Sequence, residues 1–309
     1  MASLRESRSP TVSLPPNSTL DDAGGPGAPA RSAPSSSDGP SWWAARSGKN
    51  SRGGTSLGLG LVTLYLSFLV LIPLGAVVWK SQSDGWSAGW HQVTSPEAAA
   101  ALKLTLTISA GVALFNLVMG TIIAWVLVRD DFPGKGAVEL FIDLPFALPT
   151  IVAGVVLLSL YGPRSPAHVN IAFTRTAITV ALLFVTLPFV VRTVQPVLIE
   201  LDRDMEAAAA SLGASPFLIA RRIILPNLVP AMLTGTGLAF ARAIGEFGSV
   251  SLLSGNLPFH TEVSAVNIYN QIQSDNPVGA AAQSTVLLVI AFVVLFALDR
   301  LKRWGVHRG

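Results

Sequence analysis

Chemistry in this chain has to come from few residues, and two of them stand out by position. Arg242 and Glu246 lie within an apolar run that starts near Ile223 and reaches about Leu253. A charge deep in hydrocarbon is expensive unless it is paired or faces water. Their spacing, i and i+4, puts both on one helix face, where they can pair. The sequence leaves two uses open for such a pair. It pins the helix, or Glu246 orients Arg242 as a fixed cation on the path of a dianion. Gly237, Gly245 and Gly248 allow a close helix approach or a bend nearby.

The usual sources of covalent or metal chemistry are missing from the sequence. It has no cysteine, hence no disulfide, thiolate ligand or cysteine nucleophile. The histidines, His91, His168, His260 and His307, are far apart and form no ligand-like pair. Gly134-Lys135 comes nearest to a phosphate-cradling loop. Arg129 stands where its first glycine belongs, however, and Gly136 where Ser or Thr should follow. No Ser/His/Asp arrangement and no acid pair at catalytic spacing is present. The expectation is a chain that is not an enzyme, has no metal or cofactor site, and does not hydrolyse ATP itself.

A second group of residues suits docking instead. Asp202 or Asp204 is placed to cap a short helix whose first turn carries Glu206, the sign the helix dipole favours. Ala207, Ala208, Ala209 and Ala210 give that helix a smooth, small face. Gly213 supplies the left-handed residue that ends it. Ser215 then caps a second short helix at an angle to the first, with Pro216 at its first position. Leu225-Pro226 marks the start of the next membrane span. Such a helix–Gly–helix elbow fits a groove on another protein.

Composition says what kind of elements position these residues. Of 309 residues, 50% are hydrophobic and 13% charged, against about 25% charged in soluble domains. Mean hydropathy is +0.55. Six apolar runs approach the roughly 20 residues needed to cross a bilayer: about 57–79, 104–128, 144–163, 176–200, 223–253 and 276–298. With the N-terminus in the cytoplasm, thirteen Lys and Arg flank the spans inside, and Lys80, Lys103, Arg164 and Arg175 outside. That asymmetry sets orientation. It puts both termini and the 200–226 loop in the cytoplasm of a multi-pass plasma-membrane protein. It also accounts for the basic residues without nucleic acid. Residues 1–55, rich in Ser, Pro, Gly and Ala, read as a disordered tail, followed by a membrane domain over 56–309. Trp42 and Trp43 suit an interfacial anchor before the first span.

The loop resembles the EAA loop of ABC importer permeases: Glu-Ala-Ala, then Gly, then nine residues, then Ile-x-Leu-Pro. Glu206-Ala207-Ala208, Gly213 and Ile223-Ile224-Leu225-Pro226 carry that likeness. Glu206 lies one residue further from Gly213 than in the common form, as it also does in the oxyanion-transporting branch. The run from Leu187 to Leu198 looks like the segment before this loop in sulfate/thiosulfate permeases. Arg242-Ala243-Ile244-Gly245-Glu246-Phe247-Gly248 is similar to a span shared by sulfate and molybdate permeases. The run Ser254–Glu262 resembles an outer loop of the T-type sulfate subunit. The likeness covers about residues 60–300.

The resemblance implies an all-α, six-span importer-permease (MetI-like) fold with a cytoplasmic coupling helix. In the family, Glu206, Ala207, Ala208, Gly213, Leu225 and Pro226 would couple to the ATPase. It further implies two ATP-binding cassette subunits that bind the ATP, a second, W-type permease and an extracytoplasmic sulfate-binding protein. A molybdate or tungstate permease shares this geometry. A stand-alone anion transporter would instead show repeated, broken helices at matching positions, and a membrane-embedded enzyme more clustered ionisable residues than Arg242 and Glu246.

Overall fold

The computed structural model describes residues 52–166 and 168–306. The chain divides after Gly58 into two units, and the second begins at Leu59. Residues 1–51 of the expected tail, with both tryptophans, lie outside the described residues, and residues 52–55, expected in the tail, are already helical. In chain order the helices are α1 (Gly58–Lys80), α2 (Trp86–Val93), α3 (Pro96–Arg129), α4 (Lys135–Ala147), α5 (Thr150–Tyr161), α6 (Arg175–Glu200), α7 (Arg203–Ser211), α8 (Pro216–Ile244), α9 (Gly248–Leu253), α10 (Ser264–Gln273) and α11 (Pro277–Val306). Helices α1, α3, α6, α8 and α11 are each long and apolar enough to cross a membrane.

Helix α3 shows how local signals set such an element. Ser95 accepts the Ala98 amide at 3.3 Å, Pro96 occupies the first turn, and Glu97 adds the favourable charge. Its 34 residues rise about 51 Å, more than the roughly 30 Å of a hydrocarbon core. The N-terminal turns therefore overhang the apolar stretch that begins near Leu104.

Burial ranks the spans. In α6, 56% of the most apolar window is buried, against none in α1. Helix α6 packs on α3 and α8, which also pack on each other, while α11 flanks α8 and α1 rests on α11. One core, built around Ala177, Ile178, Ala181 and Leu182, lies toward the start of α6. A second, around Val190, Val191, Val194 and Leu198, lies toward its end. Between them Asn116 of α3 donates to Thr186 Oγ of α6 at 2.8 Å, both side chains being buried.

Two of the six apolar runs do not form the single spans expected. The run 144–163 is split: α4 and α5 meet at 120° across Leu148-Pro149. Pro149 has no N–H to donate and forces Leu148 into an extended conformation (φ −86°, ψ 133°). The 12 residues of α5 rise only about 18 Å, too little to cross alone. The run 223–253 is split as well. Helix α8 ends at Ile244, and α9 restarts at Gly248 after a three-residue break, Gly245 to Phe247. The two broken elements pack together, α9 on α5. A side chain at Gly248 would strike Thr150 Oγ1 and lie 2.8 Å from the Ile151 nitrogen. This junction therefore needs a residue without Cβ.

Candidate functional site

The elbow forms from the caps that its sequence suggests. Asp202 Oδ1 accepts the Asp204 amide at 2.8 Å, and Asp204 and Glu206 occupy the first turn of α7. At the far end Gly213 is left-handed (φ +85°). Its amide donates to Ala210 O at 2.9 Å, and that of Ala214 to Ala209 O at 3.0 Å. Together these close the helix in a Schellman turn. A Cβ on Gly213 would meet nothing within 4 Å, so the demand for glycine is conformational, not steric. Ser215 Oγ then accepts the Leu218 amide at 3.3 Å, with Pro216 next to it.

Beyond this cap the structure departs from expectation. The second short helix is not separate: it is the first turn of α8, which runs unbroken from Pro216 to Ile244. Pro226 lies past this start and cannot donate, and the chain passes it through a π turn, Ala220–Ile224, in which the Leu225 amide reaches Ala220 O.

The alanine strip has two faces. Ala209 and Ala214 pack inward on the cluster of Leu127, Val194 and Leu198. Ala207 and Ala208 face outward, beside Leu212 at 90% and Phe217 at 74% exposure. Leu225 borders an apolar groove of about 430 Å³ between α3 and α8, lined also by Trp125, Phe217 and Leu228.

Glu206 has a partner that sequence reading missed. Its carboxylate forms an ion pair with Arg129, the last residue of α3, across 77 positions of sequence. Both side chains are largely buried, and the guanidinium also lies 5.3 Å from the Trp125 ring centre. A second missed pair joins α6 to α4. Arg192 donates to Asp143 through Nε at 2.7 Å and through a second nitrogen, and also to Gln195 at 2.7 Å. No local signal identifies either pair, because each joins residues of different elements, 77 and 49 positions apart.

Arg242 and Glu246 do meet, at 2.7 Å, but not along one helix. Glu246 sits in the break after α8. Its other oxygen accepts both the amide and the hydroxyl of Ser249 at 2.9 Å, which ties the carboxylate to the start of α9. The Glu246 side chain is 1% exposed and that of Arg242 34%. The anion is enclosed while the cation keeps an open face.

A polar cluster at the other end of the bundle was also unforeseen. Glu262 is buried and accepts from Asn270 at 2.8 Å; nearby, Gln271 donates to Asn267 and to Gln283, each at 2.8 Å. Burial pushes the Glu262 carboxyl above its ordinary range, opposed by the amides of Asn270 and Asn267 and reinforced by Glu97.

Comparison with known proteins adds to this geometry. Residues 116–304 match the profile of the family described as binding-protein-dependent transport system inner membrane component. The sulfate transport system permease protein CysT of Synechococcus elongatus is 45% identical over 249 residues, 78% of this chain and 90% of that protein. The probable sulfate transport system permease protein cysT of Nephroselmis olivacea is 43% identical over 246 residues, 77% and 87% of the two chains. Among solved structures, a bacterial ABC transporter involved in import of the acidic polysaccharide alginate superposes with a TM-score of 0.67 at 17% identity. The match covers 81% of this chain and 94% of that one.

Proposed function

The chain belongs to the binding-protein-dependent transport-system inner-membrane-component family, and from that premise we propose that it is a permease subunit of an ATP-driven sulfate/thiosulfate importer. One observation carries the mechanism: an elbow fixed at both ends by caps, with Leu212 and Phe217 turned outward beside Ala207 and Ala208. Exposed apolar side chains on a rigid, polar-capped loop suit a protein groove better than water.

The elbow docks on a separate ATPase subunit that binds the ATP. Its position between α6 and α8 lets movement of that subunit alter the packing of α6 against α8 and α3. Two ATPase subunits, a second permease of W type and an extracytoplasmic sulfate-binding protein complete the machine. Both termini and the 200–226 loop face the cytoplasm. Arg242, with its open face, offers a fixed positive charge to the dianion, and Glu246 and Ser249 hold it in place. The sulfate assignment rests on relatives at 43–45% identity that carry that name.

The test is uptake of labelled sulfate by cells producing the complete transporter, with unlabelled sulfate, thiosulfate or molybdate as competitor. Sulfate and thiosulfate should compete strongly. Competition by molybdate alone would reassign the substrate.

A further inference from the structure

The elbow is joined covalently to two membrane helices, α6 through Leu201-Asp202 and α8 through Ala214-Ser215. Its link to α3 is of another kind. Arg129 closes α3, where the carbonyl ends of the helix favour a cation. One of its terminal nitrogens pairs with Glu206. Trp125, one turn earlier, lies under the guanidinium at 5.3 Å. The Arg129 side chain is 12% exposed and that of Glu206 22%. The Arg129 Nε is fully buried and has no hydrogen-bond partner among the described residues. A guanidinium enclosed to that degree, with its buried Nε donor unspent, is held in place by its carboxylate contact and the ring.

We propose that Arg129 is a positioning residue for transport: the Arg129–Glu206 pair makes α3 follow the elbow, so that a push on α7 reaches three spans together. This rests on the coupling role proposed above for the elbow. Without the pair, motion of α7 still reaches α6 and α8 through the chain, while near the elbow α3 is left to follow through apolar packing, its hydrogen bond to α6 at Asn116 lying three turns away. Apolar packing permits sliding, whereas an oriented ion pair fixes register.

The test uses the complete transporter, reconstituted with its ATPase subunits and binding protein, and measures both anion delivered and ATP hydrolysed. Arg129→Gln should lower uptake about tenfold, within the span usual for coupling between sites. The ratio of ATP hydrolysed to anion delivered should rise, and the ATPase subunits should still co-purify. Glu206→Gln should do the same, and the double variant should be no worse than either single one, because both remove one contact. Arg129→Lys, which keeps the charge and loses the fork, should fall between wild type and Arg129→Gln, and it carries the test if Arg129→Gln fails to reach the membrane.

Effects that multiply in the double variant would overturn the proposal. So would uptake that falls only in proportion to the protein present, with an unchanged ATP-to-anion ratio, since that is what a merely structural pair predicts. Gly213→Val in the same assay separates the two claims. If Gly213→Val transports normally, the coupling role of the elbow itself fails. If Gly213→Val is inactive while Arg129→Gln is normal, only the role of Arg129 fails.

Discussion

Among the described residues an arginine–glutamate pair occurs twice, at the elbow and at the break in the membrane, with opposite partners enclosed. At the elbow the pair spans 77 positions, and the arginine is the more buried member, 12% against 22% exposed. At the break the residues are four apart, the glutamate is sealed at 1%, and the arginine is open at 34%. The first arrangement ties two elements together and leaves little charge to offer. The second spends the carboxylate on orientation and presents a cation. The same two residue types thus serve as tether or as presented charge, and burial decides which.

The largest expected effect is at the elbow. Gly213→Val places a β-branched residue in a left-handed conformation, which costs at least about 1–2 kcal/mol, and misdirects Ser215 and Pro216. Transport should be lost while the protein still reaches the membrane. Co-purification of the ATPase should weaken. Retained transport would show that the turn at Gly213 is not needed for docking.

The next effect is at the break. Arg242→Ala leaves Glu246 buried without its cation, a change of the kind that costs about 3–5 kcal/mol. It should reduce sulfate uptake without loosening the ATPase. Adding Glu246→Ala removes the stranded charge and should restore thermal stability more than flux. Wild-type flux in the double variant would mean that the charges serve only each other, and Arg242 would have no part in the path.

Sidedness underlies both regions, and single cysteines can report it in a chain that has none. The outer probe belongs at Leu257, which is half exposed, and the inner one at Leu212, which is exposed. Leu257→Cys should react with an impermeant reagent in intact cells and Leu212→Cys should not. The reverse pattern would invert the topology.

The smallest expected effect is at Glu262, a carboxyl with no cation beside it among the described residues. Its folded-state pKa is raised by burial, so the folded chain holds this proton more tightly than the unfolded one. The stability this contributes is present at low pH and lost as pH rises from the ordinary carboxylate range through the raised value. Glu262→Gln mimics the protonated form. It should flatten this part of the stability profile and raise the melting temperature at neutral pH, as measured by thermal unfolding between pH 4 and 8, a range that brackets the ordinary value of about 4.3. An unchanged profile would mean that the carboxyl titrates as it does in water.

What the sequence reveals depends on the range over which each signal acts. The caps at Asp202 and Ser215 and the left-handed Gly213 follow from rules spanning a few residues, and all three appear where those rules put them. The breaks at Leu148-Pro149 and at Gly245–Phe247 are invisible to hydropathy, which counts apolar residues without asking how the chain turns. Nor does proline alone settle the matter. Pro188 and Pro196 sit inside an unbroken α6, where tertiary packing holds the helix, whereas Pro149 ends one. The pairs Arg129–Glu206 and Arg192–Asp143 depend on helix packing and have no local signature. For that reason sequence reading gave Glu206 a helix dipole and a coupling role but no partner within the chain, and gave Arg192 no partner at all.

The hydrogen bond between Asn116 and Thr186 also bears on how the protein is made. Its partners lie 70 residues apart, and a ribosome adds about 5–20 residues per second. Once α3 has left the ribosome, Asn116 therefore waits roughly 4 to 14 s for Thr186 to be synthesised. An amide facing acyl chains for that long favours keeping the nascent helix in the insertion machinery, so α3 should leave that machinery together with α6.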